Sequence, residues 1–453
     1  MIFLYYISKD KYKNYILLVA SLFFYAWGEP TYIVIMLISI IFNFLFGKKV
    51  SNKEENKSRK KWLLTSVLFN IGMLGIFKYT GFFVENINSI FSTNIVNPAI
   101  SLPLGISFFT FQAMSYVIDV YRGDAKVQEN VFNMALYISL FPQLVAGPIV
   151  RYQTVADQII EREHSLDKFS NGVSRFIIGL SKKVILSNAL GMLADQVFAT
   201  EVGQLTIVSS WLGIIAYSLQ IFFDFSGYSD MAIGLGKMFG FEFLENFNYP
   251  YISQSASEFW RRWHISLGSW FRDYLYIPLG GSRKGKVRTY INLFIVWLLT
   301  GFWHGANWTF IAWGLYFGIL IAAEKAFLDK ILNKIWRPIR HMYLILAVMI
   351  GWVFFRSDTF AHAFQYLGSL LGLSGQSLYD NYTLKYINDY WYTIVLAIIV
   401  SMPTIKIIRK YVGDKNEKNT YYFMKSIILI TLFAIIIIKL ANSTYNPFLY
   451  FRF

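Results

Sequence analysis

Two of the five histidines, His264 and His304, are the residues of this sequence best placed to do chemistry. His304 stands in LLTGFWHGANW, deep in apolar sequence and between Gly301 and Gly305. An ionisable side chain is costly to bury there, so its presence points to function. Burial keeps such an imidazole neutral at pH 7. Its bare nitrogen can then take the proton from an attacking hydroxyl, an effect typically worth about 10²–10⁴ in rate. The competing reading is a structural histidine bonded to a helix carbonyl, and spacing alone does not separate the two. His264 lies in FWRRWHISLGSWFRDYLYIPLGG, three residues after Arg261 and four after Trp260. It either positions a substrate or tunes a hydrogen-bond network, or it belongs to an interfacial aromatic belt.

Two acids share this apolar setting. Asp224 and Asp230 interrupt the hydrophobic run IFFDFSGYSDMAIG. Asp224, Ser226, Tyr228 and Asp230 alternate like the start of a calcium loop. Ser229 then stands where glycine is needed, and Leu235 where the bidentate glutamate belongs. No metal site is predicted. The acids either form ion pairs with Arg261, Arg262 or Lys183, or they are the polar lining of a reaction tunnel. Trp260, Arg261, Trp303 and Asn307, beside the two histidines, are further candidates for that lining.

Several chemistries lack their residues. There is no GxSxG elbow and no Walker-type glycine loop, which disfavours a serine hydrolase and ATP-driven transport. No histidine opens an HxxxxD pattern. Cysteine is absent, which excludes disulfides, thiolate metal sites and a thioester acyl-enzyme on this chain. His164, His341 and His362 read as surface residues.

The elements that must position the histidines follow from periodicity. Trp260, Trp263, His264, Leu267, Trp270, Phe271 and Tyr274 keep helical spacing, which predicts one amphipathic helix ended by Pro278 and Gly280–Gly281. A basic loop with Arg283, Lys284, Lys286 and Arg288 follows, then an apolar segment from Tyr290 to His304. Gly301 and Gly305 have the spacing of a GxxxG packing motif. The whole chain has 453 residues, 55% of them hydrophobic and 19% aromatic. With a mean hydropathy of +0.43 and repeated apolar runs, it reads as an all-α, polytopic membrane protein. One integral membrane domain over residues 1–453 with roughly ten or eleven spans, plus re-entrant and amphipathic helices, is predicted.

The formal net charge of +15 is concentrated in short loops, which suits the positive-inside rule and an anionic leaflet and gives no sign of nucleic acid. Lys48–Lys61, Arg283–Arg288, Lys325–Arg340 and Lys406–Lys418 are predicted to face the cytoplasm. Glu85–Ala99, free of Lys and Arg, and the polar stretch Ser357–Tyr390 are predicted to face outward. Pro103 and Gly105 predict a kink in a helix over Ile100–Val120, and Pro142 with Gly147–Pro148 predicts a broken or re-entrant helix. The opening MIFLYYI is too short to span, so the first helix is expected to be N-terminally truncated.

The strings FWRRWHISLGSWFRDYLYIPLGG and LTGFWHGANWTFIAWGLYFG resemble the two signature regions of the membrane-bound O-acyltransferase (MBOAT) family. The likeness extends to FYAWGEP, SFFTFQAMSYVIDVYRG, QLVAGPIVRY, IFFDFSGYSDMAIGLGKMFG and NPFLYFRF. It is greatest for the AlgI-like branch, which includes alginate and peptidoglycan O-acetyltransferases and the related teichoic-acid D-alanyl transferases. The resemblance implies the MBOAT fold, His304 as catalytic base and His264 at the second signature position. It further implies an acyl thioester donor such as acetyl-CoA and no bound cofactor. Its acceptor would be a cell-envelope polysaccharide reached through an extracytoplasmic SGNH-type acetyltransferase partner, and its site the bacterial cytoplasmic membrane. The alternatives are a non-enzymatic transporter or flippase, which would show inverted repeats, and a lipid-modifying acyltransferase.

Overall fold

The computed structural model describes residues 1–52, 56–145, 147–373, 375–404, 418–443 and 445. Lys53 of the first basic loop, Lys406, Arg409, Lys410 and Lys415 of the fourth, and the terminal NPFLYFRF lie outside the described residues. The described residues form helices and connecting turns, with no strand among them. Among the described residues, seven helical stretches are long and apolar enough to cross a membrane: Ile33–Ser51, Lys57–Phe91, Leu166–Ala199, Ile207–Met238, Trp308–Leu332, Arg337–Arg356 and Phe423–Asn442. Their outward faces are apolar, as with Ile427, Ile430, Ile437 and Ile438, which suits hydrocarbon rather than water. The protein is an all-α, multi-pass membrane protein.

The chain forms two compact units. The first comprises Met1–Val173 with Ala232–Leu244. It holds α1 (Ile2–Ile7), α2 (Asp10–Gly28), α3 (Ile33–Ser51), α4 (Asn56–Leu74), α5 (Thr80–Phe91), α6 (Ile106–Arg122), α7 (Val131–Ser139), α8 (Phe141–Leu144) and α9 (Tyr152–Ile160). Helices α3, α4 and α6 pack on one another. Asn43 and Asn70 join α3 to α4 by reciprocal amide bonds of 3.1 and 2.7 Å, the polar glue that replaces hydrophobic force inside a membrane. Gly105 starts α6 instead of kinking it. Its φ of +72° favours glycine, and a Cβ there would fall 2.7 Å from the carbonyl oxygen of Leu144. Proline 142 does break the following helix, into α7 and α8. His164 is half-buried rather than a surface residue, with its Nε2 2.8 Å from the buried Tyr5 hydroxyl.

The second unit comprises Ser174–Met231 with Glu245–Phe453. Helices α10 (Leu166–Ser181) and α12 (Ile207–Met238) contribute residues to both units, and α11 (Asn188–Ala199) follows a π-turn over Lys182–Ser187. The rest is α13 (Ala256–Arg262), α14 (Ile265–Phe271), α15 (Lys286–His304), α16 (Trp308–Ala323), α17 (Asp329–Leu332), α18 (Arg337–Arg356), α19 (Phe360–Leu371), α20 (Asn381–Ser401) and α21 (Lys418–Asn442). Ser357–Tyr390, read from sequence as a polar loop, therefore contains α19 and the first half of α20. His341 and His362 are half-buried too, with Nδ1 3.1 Å from the Ser253 carbonyl and 3.0 Å from the Ser357 hydroxyl respectively.

One close helix approach in this unit is a glycine pair that the GxxxG reading only half identified. Gly301 on α15 faces Gly314 on α16, and a Cβ on Gly314 would lie 2.9 Å from the Cα of Gly301. A Cβ on Gly301 would strike the Phe310 carbonyl. Gly305 instead caps α15 in extended backbone, under the ring of Phe310. Overpacking a core usually costs about 1–3 kcal/mol, and more where backbone must move. Gly301→Val should therefore abolish the sharp, monodisperse elution of the detergent-purified protein. A wild-type elution profile and melting curve would refute the glycine contact.

Candidate active site

The local fold around His264 starts from a buried carboxylate. Ser255 caps α13 with its hydroxyl, and Glu324, 1% exposed, takes the remaining donors. Its oxygens accept from the Ala256 amide at 2.6 Å, the Ser257 amide at 2.8 Å and the Ser257 hydroxyl at 2.6 Å. The free N–H groups of a helix start are thus satisfied inside the protein. The helix runs only to Arg262, where an i,i+4 pair with Glu258 at 2.9 Å closes its outer face.

His264 then adopts φ +46° and ψ +53°, and α14 begins at the next residue. The single amphipathic helix expected over Trp260–Tyr274 is therefore two short helices hinged at the histidine, followed by a π-turn over Arg272–Tyr276. Periodicity could not detect the hinge, because Trp263, Leu267, Trp270, Phe271 and Tyr274 are buried on either side of it. A left-handed non-glycine residue costs of order 1–3 kcal/mol, a strain that clusters at functional sites. The flip points the imidazole inward. It is 2% exposed and meets Phe225 edge-to-face at 4.5 Å. His264 lies outside the seven long apolar helices. Burial, and secondarily the nearby His304, push its imidazole well below the ordinary value, so the ring is neutral at pH 7.

His304 is the last residue of α15 and is 4% exposed. Its ring sits among Trp303 at 5.0 Å, Trp313 at 5.0 Å and Phe355 at 5.4 Å, all nearly perpendicular to it. Trp313 stacks on Trp352, whose indole N–H donates to the Tyr251 hydroxyl at 3.3 Å. Trp303 reaches both histidines, since its ring is also 6.2 Å from that of His264. Two imidazoles 40 positions apart in sequence thus flank one tryptophan in a single aromatic enclosure.

The acids are paired. Asp224, buried on α12, meets Lys183 at 2.5 Å, as the ion-pair reading allowed. Asp230 is held by Arg175 at 2.6 Å and Lys182 at 2.6 Å, not by Arg261 or Arg262. Arg175 also forks onto Glu245. Ser226 is buried and Tyr228 half-buried on the same helix. Trp260 packs against Trp297, Trp313 and Phe317. Arg261 is exposed, and Asn307 caps α16 while donating to the Asp358 carbonyl at 2.9 Å. Among the described residues no group of three His, Asp or Glu side chains is placed to hold a metal ion.

Sequence reasoning missed Asn246, whose Oδ1 lies 3.2 Å from His264 Nδ1, and Glu324, Trp313 and Phe355. Asn246 lies in the turn-rich stretch ENFNYPY, where no periodicity announces burial. Glu324 was visible as an acid closing an apolar run, but its partners lie 67 and 68 positions away.

Comparison with known proteins bears on this geometry. Residues 125–357 match the membrane-bound O-acyltransferase family. The chain is similar to the probable alginate O-acetylase AlgI of Pseudomonas putida, with 41% identity over 99% of this chain and 96% of the relative. It is also similar to the peptidoglycan O-acetyltransferase of Helicobacter pylori, with 34% identity over 96% and 91% of the two chains. A more distant likeness, 32% identity over 55% of this chain and 66% of the relative, is to the teichoic acid D-alanyltransferase of Bacillus subtilis.

Proposed function

The chain belongs to the membrane-bound O-acyltransferase family, and on that premise we propose that it moves an acetyl group from a cytoplasmic acyl thioester, such as acetyl-CoA, toward a cell-envelope polysaccharide. Membrane O-acyl transfer follows from the family. The finer reading is carried by one observation, the enclosure of His304 by Trp303, Trp313 and Phe355 at the end of a glycine-locked helix. A neutral ring nitrogen of His304 takes the proton of the acceptor hydroxyl as its oxygen attacks the thioester carbonyl carbon. The carbon–sulfur bond then breaks, and the leaving thiolate recovers that proton from the imidazolium, giving an ester and a free thiol. The C-terminal end of α15 favours the transient positive charge on the ring. The aromatic walls keep water from competing for the acyl group.

A nucleotide donor cannot cross hydrocarbon, so an enzyme within the membrane lets only the acyl group pass. The exposed residues Arg283, Lys284, Lys286 and Arg288 could hold donor phosphates on the cytoplasmic side. Bacterial relatives named for alginate and peptidoglycan O-acetylation support a bacterial cytoplasmic membrane and a glycan acceptor. The chain has no cysteine and no GxSxG serine to store the acyl group while a polymer arrives. Acceptor choice therefore belongs to a separate SGNH-type extracytoplasmic transferase. Expressed with such a partner in a host lacking glycan O-acetylation, the chain should produce base-labile acetyl esters on envelope polysaccharide, and alone it should produce none. Full esterification by the chain alone would show that the glycan itself reaches His304.

A further inference from the structure

We propose that Asn246 is a positioning residue that holds His264 as the Nδ1–H tautomer, so that Nε2 presents its lone pair to the reaction. One donor beside Asn246 has a fixed identity. The backbone N–H of Ser266 points at the Asn246 side chain from 3.1 Å, so the amide atom there is the oxygen, Oδ1. The Ser266 hydroxyl donates to the same oxygen at 2.9 Å, and the opposite end of the amide donates to Ser229 Oγ at 3.1 Å. The Asn246 backbone carbonyl is itself clamped by the Ile265 N–H at 3.0 Å. Asn246 is 1% exposed and cannot turn over without leaving the Ser266 amide N–H against an amide NH₂.

His264 Nδ1 faces this fixed oxygen at 3.2 Å. The Ser266 hydroxyl also lies 3.4 Å from Nδ1, but its single proton goes to Asn246 Oδ1 at the shorter 2.9 Å, so toward the ring it offers a lone pair. A bare Nδ1 would set its lone pair against those of both oxygens, whereas a protonated one makes a hydrogen bond. A neutral ring with its proton on Nδ1 carries a lone pair on Nε2. The left-handed backbone at His264 serves this contact, because it turns the ring toward the loop that bears Asn246. In its resting form His264 therefore cannot give a proton from Nε2 to a leaving thiolate or an oxyanion. It acts by accepting, as a base or as the acceptor that holds a substrate N–H or O–H. That use of Nε2 rests on the acyl-transfer reading above, but the tautomer does not. His304 is a titratable neighbour of the ring. The acids of the adjacent helix α12 are held by Lys183, and by Arg175 and Lys182.

The test is ¹⁵N spectroscopy of the full-length protein in bilayers, with labelled histidine and His264→Asn as the difference that assigns the ring. Asparagine suits this variant because it tolerates the left-handed backbone. A pyrrole-type Nδ1 and a pyridine-type Nε2 are expected. An Nε2–H ring in the wild type overturns the proposal. Asn246→Asp keeps the acceptor but adds a charge that favours the imidazolium, so the ¹⁵N titration of the His264 ring should move to higher pH. An unmoved His264 titration also overturns the proposal. Asn246→Ala should mix the tautomers and lower kcat, by up to the roughly 10²–10⁴ that general acid–base chemistry supplies, with KM little changed. If Asn246→Ala fails to fold, the wild-type spectrum and the aspartate variant still decide. The expected tautomer in a wild-type protein that transfers no acyl group would support this assignment and count against the functional reading instead.

Discussion

His304→Ala should lower acyl transfer by about 10²–10⁴-fold, the usual worth of a general base, while the protein still reaches the membrane. Removing the ring leaves a gap between Trp303, Trp313 and Phe355, so some stability is lost as well. His304→Gln fills much of that gap and can accept a hydrogen bond, but it cannot take a proton near neutral pH. The two variants should be equally inactive and differ in melting temperature. His264→Asn should impair transfer less completely, since it leaves His304, the proposed base for the acceptor hydroxyl, in place. The check is thiol release and ester formation at matched amounts of purified protein. Normal turnover by His304→Gln would remove the base from the account.

The second large effect is on stability. Lys183 and Asp224 lie 2.5 Å apart with side chains only 9% and 2% exposed. Truncating one partner of such a pair strands a buried charge, at a cost of about 3–5 kcal/mol. Asp224→Leu alone should therefore melt early in detergent or fail to accumulate. Asp224→Leu with Lys183→Met removes both charges together and should recover most of the stability, because a packed apolar pair is often as stable as the ions it replaces. The double variant also separates the two readings of Asp224. Recovered stability with recovered acyl transfer makes the pair structural, and recovered stability with no transfer makes Asp224 part of the substrate path.

Much of this molecule was legible in its residues. Long apolar runs specified an all-α membrane protein, because helices of spanning length satisfy their own backbone in hydrocarbon. The two histidines stood out because ionisable groups rarely occur in such sequence. What stayed hidden was whatever depends on partners distant in the chain. The helical rhythm of Trp260–Tyr274 passes through the hinge at His264 without a mark, since both halves bury aromatics. Arg175 and Lys182 could not be assigned to Asp230 across 55 and 48 positions, although Lys183 was named for Asp224. Gly301 was recognised as a packing residue, yet its counterpart proved to be Gly314 rather than Gly305. Asn246 carried no signal, because a buried asparagine in a turn looks like any other turn asparagine.

The central claim is that an acyl group passes through this chain from one side of the membrane to the other. Sealed proteoliposomes with labelled acetyl thioester inside, and the extracytoplasmic partner with its glycan outside, test it most directly. Label should appear outside on glycan when the donor is enclosed with wild-type protein, and should stay inside with His304→Gln. Label that reaches the glycan only when donor and acceptor share one compartment would contradict the claim.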